Sequence, residues 1–271
     1  MLGVLVLVLA ACSVPDPPVS GSRRSAPPAP PTAVASPAQG AVDAGDAAVA
    51  RDDATVGIAV LDRLTGTLAT NDAGAFAFHS ASLSKLLTTV DAFTGPAEVT
   101  ESDRQRIVAA LGPSDDDAMN ALWSRFGGQE GITRVIDALG LQDTAVPDDP
   151  SQWGEVRLSP RDVVSVLDFV ADGLAPAARD LVLGALAAAP EEGADGFDQA
   201  FGLLDPAQRG DARAKQGWLC CLDDRIDLHS AGFPDASERF AVAILSRQPL
   251  GYPAARQVLD DVAAAVRGPL A

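Results

Sequence analysis

The pattern of apolar and polar positions predicts strands near both ends of the chain and helices between them. The apolar segment Thr55–Asp62 predicts a buried strand, and Thr67–Thr70 predicts a second one after a turn. Further strands are predicted at residues 212–221, 225–231 and 238–246, where apolar positions alternate or run together.

Helical spacing of apolar residues accounts for most of the middle of the chain. The predicted helices cover residues 82–93, 101–111, 115–126, 132–139, 160–172, 176–188 and 253–266. Ser159 and Pro160 form a typical helix start, and residues 143–156 form an irregular acidic loop. Strands separated by a block of helices, yet grouped like hairpins, predict an α+β domain with an antiparallel sheet.

The first residues indicate export from the cytoplasm. The apolar stretch Leu2 to Ala11 is too short to span a bilayer and ends at Cys12, which resembles a bacterial lipobox. An ordinary signal peptide with an incidental cysteine is the alternative. We therefore predict a lipoprotein signal peptide at residues 1–12, a disordered Pro/Ala/Ser-rich tether at 13–53 and a folded domain at 54–271. Lipidation of Cys12 would anchor the protein outside the cell membrane.

The charge and the cysteine and histidine content exclude several classes of protein. A net charge of −17 argues against nucleic-acid binding and against adsorption to anionic membranes. Two distant histidines do not suit a histidine-rich metal site, and we expect neither a metal nor a cofactor. The adjacent Cys220 and Cys221 are interpreted as two small apolar residues in a strand, with a vicinal or intermolecular disulfide as the alternative.

Lysine is the most informative residue type in this chain. Of 20 basic residues, only Lys85 and Lys215 are lysines. Arginine suffices where only a positive charge is needed, whereas a buried lysine can lose its proton. Lys85 ends Ser82-Leu83-Ser84-Lys85, which reads S-x-x-K, and Lys215 begins Lys215-Gln216-Gly217, which nearly reads K-T-G. Between them, Ser114-Asp115-Asp116 nearly reads S-D-N.

These three motifs, in this order, resemble the serine β-lactamase and penicillin-binding DD-peptidase superfamily, with a spacing similar to that of class A β-lactamases. The resemblance covers roughly residues 55–266. It implies a five-stranded antiparallel sheet flanked by helices, next to an all-helical lobe. It also implies that Ser82 is the nucleophile, that Lys85 is the base, and that Ser114 passes a proton to the leaving group.

The same resemblance implies substrate-binding residues. Lys215 would bind a substrate carboxylate, Gly217 would leave room for the substrate, and the backbone N–H of Trp218 would join that of Ser82 in an oxyanion hole. Asp116 departs from the family, which has an asparagine there that donates to the substrate's amide carbonyl, because a carboxylate cannot donate unless it is protonated. Gln216 departs as well, since it replaces a threonine or serine.

A further departure concerns the removal of the acyl group. Class A enzymes carry E-x-x-L-N in the loop before Ser159, and its glutamate activates the water that frees the acyl-enzyme. Residues 146–158 contain Asp148, Asp149 and Glu155, but none of them has that spacing. Efficient β-lactam hydrolysis is therefore not expected from the sequence.

Two functions remain open from the sequence. The first is a membrane-anchored serine hydrolase that forms an acyl-enzyme with a β-lactam or a cell-wall peptide-like amide. The second is an inactive lipoprotein that binds cell-wall ligands. Each motif also has a purely structural interpretation. Ser82 or Ser114 would then cap a helix, and Lys85 or Lys215 would face solvent.

Overall fold

A five-stranded antiparallel sheet forms the centre of the folded domain. The structure is a computed structural model, and it describes residue 3, residues 36–49 and residues 53–271. The described strands are β1 (Thr55–Asp62), β2 (Thr67–Thr70), β3 (Phe78–His79), β4 (Arg157–Leu158), β5 (Arg213–Cys220), β6 (Arg225–Phe233) and β7 (Phe240–Pro249). The large sheet has the order β2-β1-β7-β6-β5, so β5 lies at its edge. The short strands β3 and β4 pair with each other in a separate two-stranded sheet.

Helices cover both faces of the large sheet. Within the described residues they are α1 (Pro37–Ala47), α2 (Ser84–Thr94), α3 (Glu101–Leu111), α4 (Asp116–Arg125), α5 (Gln129–Leu139), α6 (Pro160–Asp172), α7 (Pro176–Ala187) and α8 (Tyr252–Arg267). This arrangement is the predicted α+β class with a five-stranded antiparallel sheet, and that prediction is confirmed. None of these described helices combines the length and the apolar character that a bilayer crossing requires.

Side-chain alternation in the strands divides the interior into two cores. In β1, Val56, Ile58 and Val60 point to the core shared with α1 and α8, whereas Ala59 points to the core shared with α2–α7. The same division into two cores holds in β7. Ile244 pairs with Ile58 across the two strands and points to the same core, the one shared with α1 and α8. The period of two along each strand produces this sorting, and it makes the register costly to shift.

The predicted boundary of the tether at residue 53 is wrong for one segment. Residues 37–47 form α1, which is capped by Ser36 and has Pro37 in its first turn. Ala41 and Val42 are buried in the core that α1 shares with α8. The small side chains of this segment resemble those of a linker, but they allow α1 to approach α8 closely. A Cβ added to Gly45 would lie only 2.7 Å from Val266 of α8. Cys12 of the predicted signal peptide lies outside the described residues, and so does the predicted tether apart from residues 36–49 and 53.

Most other predicted elements have the expected type and nearly the expected bounds. Ser159 caps α6, with its Oγ accepting from the backbone N–H of Asp162 at 3.2 Å, as the sequence predicted. The sequence did not predict β3 and β4. Each contains two residues, which is too short for a periodic signal.

Candidate active site

Ser82 lies in a 3₁₀ turn (Ala81–Leu83) that leads into α2. Ala81, just before it, has a φ of 47°, a left-handed conformation that is uncommon for a residue with a side chain. Leu83, Leu86 and Leu87 are buried in the helical core and fix the start of α2. The turn thus holds Ser82 in place with only 5% of its surface exposed.

Lys85 follows one helical turn later and points to the same place, as a spacing of three residues on a helix dictates. Its Nζ lies 3.0 Å from Ser82 Oγ, 3.0 Å from Ser114 Oγ and 2.7 Å from Asp116 Oδ1. The residue is 1% exposed, so the interpretation of Lys85 as a solvent-facing lysine is wrong. Burial lowers the pKa of Lys85 and outweighs the opposing effect of the Asp116 carboxylate.

Ser114 connects the two lysines. Its Oγ accepts from Lys215 Nζ at 2.8 Å as well as from Lys85 Nζ. It also has a positive φ of 60°. Ser114 does not cap α4, because Asp115 is the capping residue and accepts from the N–H of Ala118 at 2.8 Å. The purely structural interpretation of Ser114 as a helix cap is therefore wrong.

Lys215 lies on the edge strand β5 and is 1% exposed. Its Nζ donates to Ser114 Oγ and, at 2.8 Å, to the backbone oxygen of Gln216. Burial, and then the neighbouring charge of Lys85, hold the pKa of Lys215 well below its usual value. The interpretation of Lys215 as an exposed strand residue is thus wrong, and the two lysines and two serines form one buried cluster.

A cleft of about 350 Å³ opens over this cluster. Its lining is Ala81, Ser82, Asp116, Asn120, Ser151, Gln152, Trp153, Gly154, Trp218 and Leu219. Asp116 begins α4, and its side chain is 58% exposed even though it contacts Lys85. The cleft therefore has the candidate nucleophile Ser82 and a carboxylate in its wall, with the two amines beneath.

A sequence model described as the beta-lactamase enzyme family matches residues 96–268, well over half of the chain. The chain belongs to this family. Curated relatives include the protein named Putative lipoprotein LppW, from Mycobacterium tuberculosis and Mycobacterium bovis. It is 31% identical over 215 residues, which cover 77% of this chain and 68% of LppW.

Solved structures share the beta-lactamase fold at much lower sequence identity. A class A beta-lactamase from Bacteroides cellulosilyticus matches with a TM-score of 0.67 and 13% identity, covering 88% of this chain and 99% of that one. A mutant of PBP-A, solved as an acyl-enzyme complex with penicillin G, matches with a TM-score of 0.64 and 18% identity. That match covers 83% of this chain and 94% of PBP-A. These structural matches bear on the fold alone.

The edge strand β5 packs closely against the turn that holds Ser82, where the family resemblance places an oxyanion hole. A Cβ added to Gly217 would lie 3.2 Å from the backbone oxygen of Ser80 and 3.3 Å from Ala81 Cβ, so glycine permits this approach. Trp218 lines the cleft, and its Nε1 donates to Asp195 at 3.0 Å. The roles of the Ser82 and Trp218 backbone N–H groups stay predictions.

Gln216 is oriented away from the beta-lactamase-like cleft. Successive side chains of a strand point to opposite faces, so Gln216 and Lys215 lie on opposite sides of β5. The Gln216 Nε2 donates to the backbone oxygens of Gln199, at 3.3 Å, and Phe201. The side chain at this position therefore contributes no hydroxyl or amide to the cleft.

The loop before α6 forms one wall of the cleft, which the sequence did not reveal. Trp153 of this loop has its ring 5.0 Å from Lys85 Nζ. Its Nε1 donates to Asn120 Oδ1 at 2.9 Å, which ties the loop to α4. Ser151 and Gln152 of the same loop also line the cleft, and an aperiodic loop gives no sequence signal for such positions.

Other predicted residues lie beside the site or away from it. Cys220 and Cys221, at the end of β5, are exposed and joined by a vicinal disulfide, which corrects their interpretation as unlinked apolar residues. The Nδ1 of His79 lies 3.3 Å from a carboxylate oxygen of the buried Asp227. Among the described residues, no group of three or more His, Cys, Asp or Glu side chains is arranged to hold a metal ion.

Proposed function

We propose that this member of the beta-lactamase family is a membrane-anchored serine hydrolase that forms an acyl-enzyme at Ser82. The observation that supports it most is the buried cluster, in which Lys85 Nζ lies 3.0 Å from the oxygens of both Ser82 and Ser114. A serine hydroxyl needs a neighbouring base to become a nucleophile, and a buried lysine with a lowered pKa can serve as that base. The substrate class is a β-lactam or a cell-wall peptide-like amide.

The geometry supports a definite course of proton transfer. Ser82 Oγ attacks the carbonyl carbon while the neutral amine of Lys85 takes the Ser82 proton. The backbone N–H groups of Ser82 and Trp218 stabilise the oxyanion. The C–N bond then breaks as the leaving nitrogen receives a proton from Ser114 Oγ, which is replenished from the adjacent lysine amines. The product is an ester between Ser82 and the acyl group.

We further propose that hydrolysis of this ester is slow. Asp149 is a candidate base in the loop, but its carboxylate accepts from the N–H and the hydroxyl of Ser151, both at 2.8 Å, and it is exposed. Glu155 is half-buried and does not line the cleft. Without a carboxylate of this loop positioned to activate water, the acyl-enzyme should persist.

The test is the intact mass of the full chain, in detergent, after incubation with penicillin G and separately with a fluorophosphonate. We expect an adduct with at least one of the two reagents, one that Ser82→Ala abolishes and that Ser151→Ala, which changes another serine of the same cleft, leaves in place. An adduct that survives in Ser82→Ala would exclude Ser82 as the nucleophile. If neither reagent forms an adduct and penicillin G is not hydrolysed, the second candidate function is favoured, which is a ligand-binding protein without turnover. The carboxylate of Asp116 and the orientation of Gln216 are the observations that support this candidate.

The proposed anchor rests on Cys12 and on the similarity to the relative named Putative lipoprotein LppW. We expect Cys12→Ala to move the protein from the membrane fraction to the soluble fraction. Ser13→Ala is the matched control and should leave it in the membrane fraction. A Cys12→Ala protein that stays membrane-bound would exclude lipidation as the means of attachment.

A further inference from the structure

The cleft lacks the groups that would bind an anionic substrate. Lys215, the expected carboxylate ligand, is 1% exposed, and its amine donates to Ser114 Oγ and to the backbone oxygen of Gln216. The Gln216 side chain lies on the other face of β5, in hydrogen bonds to backbone oxygens there. A substrate carboxylate would thus meet neither an exposed cation nor a side-chain hydroxyl at this end of the site.

Asp116 presents a negative charge to the cleft. Among the lining residues of the described chain, Asp116 is the only one that carries a charge. Its Oδ1 accepts from Lys85 Nζ at 2.7 Å, yet the side chain remains 58% exposed. The negative charges of Asp115 and Asp195 also act on Lys85.

The remaining walls suit a cation better than an anion. Trp153 and Trp218 both line the cleft, and indole rings attract cations more strongly than other aromatic side chains. Each indole already has a lysine amine near its ring, at 5.0 Å for Lys85 and 5.5 Å for Lys215. Indoles and one carboxylate together complement an organic ammonium group.

We propose that the cleft takes an acyl donor with an ammonium group next to its reactive carbonyl, and that Asp116 binds this ammonium. The inference rests on the proposed acyl transfer at Ser82 and names its substrate class. Asp116 occupies the position at which a neutral amide would donate to a substrate carbonyl, but a carboxylate there accepts instead. A free α-amine provides the donor that this acceptor requires.

Binding of the ammonium would also assist the base. Asp116 raises the pKa of Lys85 through its charge and its hydrogen bond. A substrate cation that pairs with Asp116 neutralises part of this influence, so Lys85 loses its proton more readily when the correct substrate is bound. The Asp116 carboxylate would then link recognition of the substrate to activation of the Ser82 nucleophile.

The test uses two thioesters of 2-mercaptoethanol that differ only in one ammonium group: the phenylalanyl and the 3-phenylpropionyl thioester. Released thiol gives kcat/KM for each at pH 6, where the α-amine is protonated, after subtraction of the uncatalysed rate. We compare the ratio of the two kcat/KM values in the full-length wild type, in Asp116→Asn and in Asp117→Asn. Asp117 is the matched control because it is the next residue of α4 and exposed, but does not line the cleft.

We expect Asp116→Asn to lower the preference for the amine at least about tenfold, the usual worth of a charge-assisted hydrogen bond. Asp117→Asn should leave the ratio unchanged. An equal ratio in all three proteins, with normal turnover, would overturn the inference and leave the proposed function intact. An equal loss of preference in both variants would also overturn it, because general surface charge would then explain the effect.

A separate measurement applies if no turnover and no Ser82 adduct are found, which would defeat the proposed function. Calorimetry with Ser82→Ala protein then compares phenylalaninamide with 3-phenylpropionamide. Tighter binding of the ammonium compound by at least about tenfold, lost in Ser82→Ala/Asp116→Asn, supports cation recognition by this cleft. Equal binding of the two amides overturns it.

Discussion

The buried cluster beneath the cleft and the cleft surface above it differ in how far they follow the family pattern. Below, Ser82, Lys85, Ser114 and Lys215 are all present, and each is at most 5% exposed. Above, Asp116 is exposed and replaces an amide, and Gln216 points to the opposite face of β5. Removal of one buried partner leaves another polar group unsatisfied, at a cost of about 1–3 kcal/mol, whereas most surface changes cost less than about 0.5 kcal/mol. The residues proposed to move protons should therefore tolerate little change, while a change among those proposed to contact the substrate can alter the substrate class.

The largest expected effect comes from the base. Lys85→Met removes the amine, and Lys85→Arg keeps a positive charge that cannot be deprotonated. Both should slow acylation by about a thousandfold, within the usual range for loss of a general base. The measurement is the second-order rate of adduct formation by intact mass. If Lys85→Arg reacts as fast as the wild type, residue 85 supplies a positive charge rather than a base. The conclusion that the buried cluster tolerates little change would then be wrong.

The pH dependence of acylation gives the next effect. Because only neutral Lys85 can accept the Ser82 proton, the rate should rise about tenfold for each pH unit below the Lys85 pKa and level off above it. Burial places this midpoint below the ordinary lysine value of 10.5. A profile of acylation rate against pH, on protein shown to remain folded, provides the check. A rate that rises with pH only around or above 10.5, or that shows no rise at any pH at which the protein is folded, would contradict a buried lysine base.

A smaller effect concerns stability outside the cleft. Burial opposes ionisation of Asp103, but its hydrogen bonds with Thr100 and Arg125 lower its pKa to about 2. The folded state therefore gains stability from the carboxylate above the unfolded pKa of 3.8, and loses it as the pH falls through 2. Asp103→Asn should destabilise the protein by about 2 kcal/mol at pH 7 in urea unfolding. The acylation rate should not change, since Asp103 joins α3 to α4 away from the cleft.

The smallest expected effect has the opposite sign. Burial raises the pKa of Asp260, on α8, to about 6, although the carboxylate accepts from the N–H of Gly202. The stability associated with its protonated form is complete below 3.8 and is lost as the pH rises through 6. Asp260→Asn should therefore stabilise the protein by about 1 kcal/mol at pH 7, and much less at pH 4. Equal unfolding curves for the two proteins at pH 7 would contradict this assignment.

The sequence predicted the site residues that belong to recognisable motifs. It did not predict those that reach the site only through contacts between distant parts of the chain. The spacing of Ser82 and Lys85 on a helix placed both groups together, and the ordered motifs added Ser114 and Lys215. No spacing could reveal that Trp153 covers Lys85, because the loop has no period and its position depends on the hydrogen bond to Asn120.

The missed helix α1 has a different cause. Its residues are small, and three of its buried positions are alanine or glycine, so burial there depends on close approach to α8 rather than on large apolar side chains. Composition resembling that of the tether concealed this packing. The sheet was easier to predict, because both faces of β1 and β7 pack against a core and leave continuous apolar runs of strand length.

The burial of both lysines has a practical consequence for handling the protein. Lys85 and Lys215 supply every side-chain primary amine in the chain, and each is 1% exposed. Amine-directed dyes, cross-linkers and resins should therefore react with the native fold at little besides a free α-amine. Unfolding exposes both ε-amines at once. Uptake of an amine-reactive dye can then report loss of the native state, and attachment of the folded protein to a surface is better directed at its carboxylates.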